Sequence, residues 1–106
     1  MKEIRIGAAA WGFRELTLQQ QLDLVRHLGL VSLELGIANS PADVQTDADV
    51  RLLEQVKKEY EAFGISLDTA ATGNDFTLKD GNAAAEDIGK LKRVIDICSF
   101  LGVETL

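Results

Sequence analysis

The chain has one cysteine, one histidine and one proline in 106 residues. A lone Cys98 cannot close an internal disulfide, and its place in an apolar helical stripe reads as an inert buried thiol rather than a nucleophile. A lone His27, beside Arg26 in the last turn of a helix, has no partner at metal-ligand spacing. It reads as a solvated residue favoured by the helix dipole. Basic residues are also few: 11 Lys and Arg stand against 17 Asp and Glu, for a net charge of −6. Without a clustered basic surface, neither nucleic acid nor an anionic membrane is an expected partner. No apolar run approaches the roughly 18 residues of a membrane span. MKEIRIGAAAWGF carries a charge within its only apolar run, so no signal peptide is expected and the expected location is the cytoplasm.

What is present is ordinary for one globular domain or part of one: 46% hydrophobic and 26% charged residues. The informative feature is a repeat. HLGLVSLELG, AFGISLDTA and FLGVETL each place a glycine after an apolar periodic run and before β-prone residues. The glycines are Gly29, Gly64 and Gly102, about 35 residues apart. Thr17 with Gln20 forms a capping-box signature, and Leu18, Leu22, Val25 and Leu28 follow at helical spacing. A second helix is expected to start near Asp47 and bury Val50, Leu53, Val56, Tyr60 and Phe63. A third is expected to start near Asn82, with Ile88, Leu91, Ile95 and Cys98 as its stripe, broadened by Val94 and Leu101. The expectation is strands starting near 4, 31, 65 and 103 and helices near 18–28, 48–63 and 83–101. That order, (βα)3-β, implies right-handed crossovers and a parallel sheet.

A doubly wound sheet would bury both faces of its strands and make them continuously apolar. Here Val31, Leu33 and Leu35 alternate with Ser32, Glu34 and Gly36, and Ile65 and Leu67 with Ser66 and Asp68. In the first strand Ile4, Ile6 and Ala8 alternate with Arg5, Gly7 and Ala9. One face suits a helix layer and the other is small or polar. That favours a portion of a TIM (β/α)8 barrel, with helices on the outer face, over the doubly wound alternative. The long connections WGFREL, GIANSPADVQTDA and ATGNDFTLKDGN all follow strands, the end where barrels carry their sites. Dinucleotide and P-loop motifs are absent: GAAAWG is not G-x-G-x-x-G, and there is no G-x-x-x-x-G-K-[ST]. Ala9-Ala10-Trp11 stands where a phospho-receiver domain would need an acidic pair.

IRIGAAAWGFRELTLQQQLDLVRHLGLVSLELG resembles the start of the sugar phosphate isomerase/epimerase family. That family belongs to the xylose-isomerase-like TIM barrel superfamily, with its tagatose epimerase-like, inosose dehydratase-like and endonuclease IV-like members. The likeness rests on the aromatic loop Ala10-Trp11-Gly12-Phe13, the Leu-Gly helix end and Leu33-Glu34-Leu35. It covers the whole chain but only the N-terminal half of such a barrel, whose members run to about 250 residues. The resemblance implies an enzyme that moves a proton on a small keto-sugar or polyol with the help of a divalent metal ion. It places the metal ligands and catalytic residues after Leu106. The segment would then supply scaffold and part of the substrate pocket, be inactive alone and require the C-terminal half of the barrel. Asp68-Thr69-Ala70-Ala71 departs from the histidine of endonuclease IV-like members, which speaks against DNA repair.

Four residues are candidate substrate contacts: Trp11, Phe13, Glu34 and Asp68. The aromatics of the first loop suit the C–H face of a sugar ring or, alternatively, plug the barrel rim. Glu34 points from its strand into the lumen, to contact substrate hydroxyls or support a metal site from behind, or else to pair with a cation such as Arg5 or one from the rest of the barrel. Asp68 reads as a substrate contact or as a hydrogen-bonded carboxylate of the βα loop. Two carboxylates at that height repel, so a metal ion, lysine or arginine is expected between them. Asn74 and Asp75 suit a turn better than a ligand. The other reading is a non-catalytic half-barrel that functions or folds only by assembly with another half, a homo-oligomer included, because its outermost strands would be unpaired edges.

Overall fold

The structure is a computed structural model describing residues 3–75, 77 and 80–106. The parts of the first strand and third long loop at Met1, Lys2, Phe76, Leu78 and Lys79 lie outside the described residues. The chain is α/β: three strands in the order β1-β2-β3, all parallel, with three helices. Strand β1 is Gly7–Ala9 and leads into a 3-10 turn, Ala10–Phe13. Helix α1 is Leu18–His27, strand β2 Ser32–Gly36, helix α2 Val50–Phe63, strand β3 Ala70–Ala71 and helix α3 Gly81–Leu101. No helix among the described residues is long and apolar enough to cross a membrane.

Local chemistry sets the helix ends. Thr17 and Gln20 form both halves of a capping box at α1, and the carboxylates of Asp49 and Asp80 cap α2 and α3. Gly29, Gly64 and Gly102 each follow a helix with φ of 74°, 66° and 75°. A side chain there would meet its own backbone, so glycine is what lets the chain turn straight into the next strand.

The core lies between β2 and the helices. Leu33 and Ile37 are completely buried and Leu35 nearly so. They pack with Leu22 and Val25 of α1, Leu53, Val56 and Tyr60 of α2, and Val94, Ile97, Cys98 and Leu101 of α3. Ser32 and Glu34 face the other way and are half-buried, the alternation of a strand whose two faces meet different media. Burial raises the Cys98 thiol above its ordinary value, which keeps it protonated and unreactive.

Several boundaries and faces differ from the sequence expectation. The first strand starts at Gly7, not near 4, and Ile4 and Ile6 are 87% and 67% exposed. They precede the segment that pairs with β2, and no helix covers them. Helix α2 is capped by Asp49 rather than starting near Asp47, so Val50 sits on the first turn and is exposed, as is Leu28 at the end of α1. On α3 the buried stripe is Val94, Ile97, Cys98 and Leu101, with Ile88 and Ile95 exposed. The helix is apolar over a wider arc than the sheet covers, so its periodicity alone does not say which part of the arc turns inward.

The third strand departs most. Only Ala70–Ala71 pairs regularly, although a strand starting near 65 is expected. Ser32 lies opposite Ser66, but Leu35 lies opposite Ala70. The third strand therefore carries one extra residue over that span, a bulge. Its effect is visible at Leu33. The Leu33 N–H bonds Ser66 O, so its carbonyl faces the same neighbour, where the Asp68 N–H of a regular ladder would meet it. No such bond forms. The Tyr60 hydroxyl of α2 donates to Leu33 O instead, at 2.9 Å. The displaced Asp68 carbonyl in turn accepts the N–H groups of Glu104 and Thr105 at 3.0 and 3.2 Å. Thr105 bridges Thr69 in parallel, so a fourth strand position begins there.

Tyr60→Phe is expected to leave a buried carbonyl without a donor and to lower unfolding free energy by about 1–3 kcal/mol in urea titrations. The wild-type phenol should also resist ionisation. Its pKa is raised, first by burial and then by the Asp68 and Glu34 carboxylates. A raised folded-state value means that this contribution is complete below the unfolded pKa of about 10 and is lost as pH rises above it. Tyr60 is the only tyrosine, so phenolate absorbance should appear only as helical circular dichroism collapses. Phenolate forming near pH 10 in a chain still helical would contradict this.

Candidate functional site

The C-terminal ends of β1 and β2, with Ala71 of β3, frame a small cleft on the polar side of the sheet. It is lined by Ala10, Trp11, Glu34, Gly36, Asn39, Asp43 and Ala71. Each comes from a strand end or the loop that follows it, the positions at which parallel α/β sheets present ligand sites.

Of the four candidates, Trp11 and Glu34 meet in this cleft, and Phe13 and Asp68 lie outside it. Trp11 is 59% exposed on the 3-10 turn. The Arg14 guanidinium stacks 4.4 Å from its ring centroid and donates to the Trp11 carbonyl at 3.2 Å. The indole is thus held on one face by a cation. Phe13 turns to a separate recess formed by Gly12 to Leu16. Its carbonyl accepts the Leu16 N–H at 2.8 Å and the Gln21 amide at 3.0 Å.

Asp68 pairs with Arg5. Arginine is one of the three cations expected between the two lumen carboxylates, and it engages Asp68, not Glu34. The pair is partly solvated, with side chains 57% and 30% exposed, so it contributes little to stability. Its effect is to place a cation on one oxygen of the Asp68 carboxylate. Glu34 is half-buried, and no donor among the described residues bonds its carboxylate. It is therefore the acidic group of the cleft with acceptor capacity to spare.

Asn39 and Asp43 were not singled out by sequence reasoning, and Asp43 organises the wall. One carboxylate oxygen accepts the backbone N–H groups of Asn39 and Ser40, both at 2.9 Å, and the other accepts the Ser40 hydroxyl at 2.9 Å. The signal was Ser40 followed by an aspartate three residues on, a loop-closing spacing. Gly36 makes room for it: a Cβ there would collide with the Asp43 carboxylate. The loop also holds Ala38 in the left-handed region, at φ 57°, a conformation that costs a non-glycine residue about 1–2 kcal/mol. The Ala38 N–H bonds Val44 O at 2.8 Å, and the Lys90 ammonium of α3 reaches the carbonyls of Ala38 and Gly73, both at 3.4 Å. Lys90 thereby ties the second and third loops together.

Asn74 and Asp75 are exposed. Asp75 accepts the hydroxyl and the N–H of Thr77, which hold its pKa below the usual carboxylate range. This is a turn role. His27 is exposed at the end of α1. Among the described residues no three His, Cys, Asp or Glu side chains are grouped to hold a metal ion. The donor set of the cleft is two carboxylates, one of them holding three loop donors, and does not fit a divalent ion.

Chemically, the cleft offers a half-free aromatic face, one unengaged carboxylate and an amide side chain. The recess between them is about 10 Å³, room for about one water molecule, and the exposed Trp11 ring lies at its mouth. No family model matches the chain, and no curated protein matches it.

Asp43→Ala should cost about 2 kcal/mol in chemical unfolding, since it removes three hydrogen bonds to a charged acceptor. Gly36→Ala should be destabilising in the wild type and much less so in the Asp43→Ala background. Additive losses in the double mutant would show that the glycine answers to something other than the carboxylate.

Proposed function

We propose that the chain is the N-terminal segment of a sugar phosphate isomerase/epimerase-like TIM barrel enzyme, working in the cytoplasm on a small keto-sugar or polyol. The observation that carries this reading is the unengaged Glu34 carboxylate beside an exposed Trp11, at the C-terminal ends of a parallel sheet with one polar face. In this reading Trp11 supplies a stacking wall, and Glu34 accepts hydrogen bonds from substrate hydroxyls and fixes which carbons face the reacting centre. Asp43 keeps the second loop out of the substrate's space. Asp68 and Arg5 settle the charge below the cleft. The proton-transferring groups and the ligands of the implied divalent ion belong to residues beyond this segment, and the residues present do not fit that ion.

The protein encoded by the complete reading frame, assayed with divalent metal against a panel of ketoses and cyclitols, should interconvert at least one of them. Glu34→Gln should lower its kcat/KM by about tenfold, near 1.4 kcal/mol of transition-state stabilisation. The 106-residue chain alone should turn over none. A metal-loaded complete protein inert across the panel would count against the reading.

One observation favours a second reading, a non-catalytic half-barrel that works by assembly. β1 is an edge strand of the sheet, and Ile4 and Ile6 just before it are exposed, an arrangement that isolated proteins usually protect. Sedimentation distinguishes the two. Assembly requires a concentration-dependent dimer or larger species, whereas a monomer with cooperative unfolding sinks it.

A further inference from the structure

A second cavity lies on the opposite side of β2 from the cleft. It sits between α1, α2 and the loop after β2, and measures about 150 Å³. An apolar cavity of about that size accommodates a benzene-sized molecule. Leu18, Leu52 and Val56 supply apolar wall, and Gln21, Asp43 and Glu59 supply polar atoms.

The polar atoms are one-sided. Gln21 is buried, 3% exposed, in the middle of an otherwise amphipathic helix. Its amide nitrogen donates to the carbonyls of Phe13 and Leu16 at 3.0 and 3.2 Å. Two carbonyl neighbours fix which end of the amide is nitrogen. No donor among the described residues reaches the remaining Oε1. Glu59 accepts from the Gln19 and Gln55 amides, both at Oε1, at 3.1 and 3.4 Å. Its Oε2 receives no donor among the described residues. Asp43 already accepts three donors from its own loop. The cavity therefore offers two acceptors, one of them on a carboxylate, beside apolar walls.

We propose that this interhelical cavity binds a small primary ammonium compound with a short apolar tail. The tail occupies the space between Leu18, Leu52 and Val56, and the ammonium donates to Gln21 Oε1 and the Glu59 carboxylate. A neutral apolar guest gains nothing from either acceptor, and an anion meets two carboxylates. The cavity shares Gly36 and Asp43 with the cleft, but Leu18, Gln21, Leu52, Val56 and Glu59, which would hold this ligand, take no part in the sugar-binding reading.

The test is an NMR titration of the 106-residue chain with benzylammonium, benzyl alcohol and toluene, following methyl and amide signals. Benzylammonium should give saturable shifts at Leu18, Leu52 and Val56, and bind on the order of tenfold tighter than toluene, as hydrogen bonds to a charged partner imply. Glu59→Gln should weaken benzylammonium severalfold and leave benzyl alcohol unchanged. Leu52→Trp, at the half-exposed rim, should block all three probes without moving the unfolding midpoint. The inference is overturned if no probe gives saturable shifts, if toluene binds as tightly as benzylammonium, or if Glu59→Gln changes nothing.

Discussion

One hydrogen bond, from the Tyr60 hydroxyl to the Leu33 carbonyl, ties α2 to the central strand where the ladder to β3 is interrupted. It exists because the third strand has one residue too many to continue its ladder with β2. A buried carbonyl without a partner is costly, and α2 supplies the missing donor from the helix side. The bulge does more than leave that gap. It turns the Asp68 carbonyl towards the next strand position, where Glu104 and Thr105 donate to it. It also carries the side chain of Asp68 to Arg5 and away from the cleft. Of the two strand carboxylates, Asp68 is thus the one beside a cation and Glu34 the one without a donor.

The site follows from that division. Glu34 is unengaged, Asp68 pairs with Arg5 through one oxygen, and Asp43 accepts three donors from the loop that borders the cleft. Three carboxylates of similar sequence appearance therefore have three different physical roles. The strained Ala38 fits the same picture. A left-handed alanine persists only where its surroundings over-determine it, and here the Asp43 hydrogen bonds, the Val44 carbonyl and Lys90 all act on the same few residues.

Much of this was legible in the sequence. The three helix-ending glycines, the Thr17–Gln20 box and the alternation of β2 follow from local rules, and local rules set them in the structure. The face of α3 was not legible, because Ile88, Leu91, Val94, Ile95 and Ile97 make an apolar arc too wide for periodicity to choose within. The start of β1 was not legible either, since Ile4 and Ile6 look like strand residues whether or not anything covers them. The bulge at Leu67–Thr69 leaves no mark in composition. It is a consequence of pairing, and it moved Asp68 out of the constellation that alternation had assigned to it. Gln21 was missed because a glutamine on a helix reads as solvent-facing until the carbonyls of the preceding turn are in place.

The proposal open to the most direct test is that the polar end of this sheet, around Glu34 and Trp11, binds a small polyhydroxylated molecule. The most direct measurement is an amide and indole chemical-shift map of the chain on addition of a small ketose. The account predicts saturable changes confined to the Trp11 indole and the backbone of Glu34, Asn39 and Ser40. Changes absent from those residues, with the ketose acting elsewhere or nowhere, would contradict it.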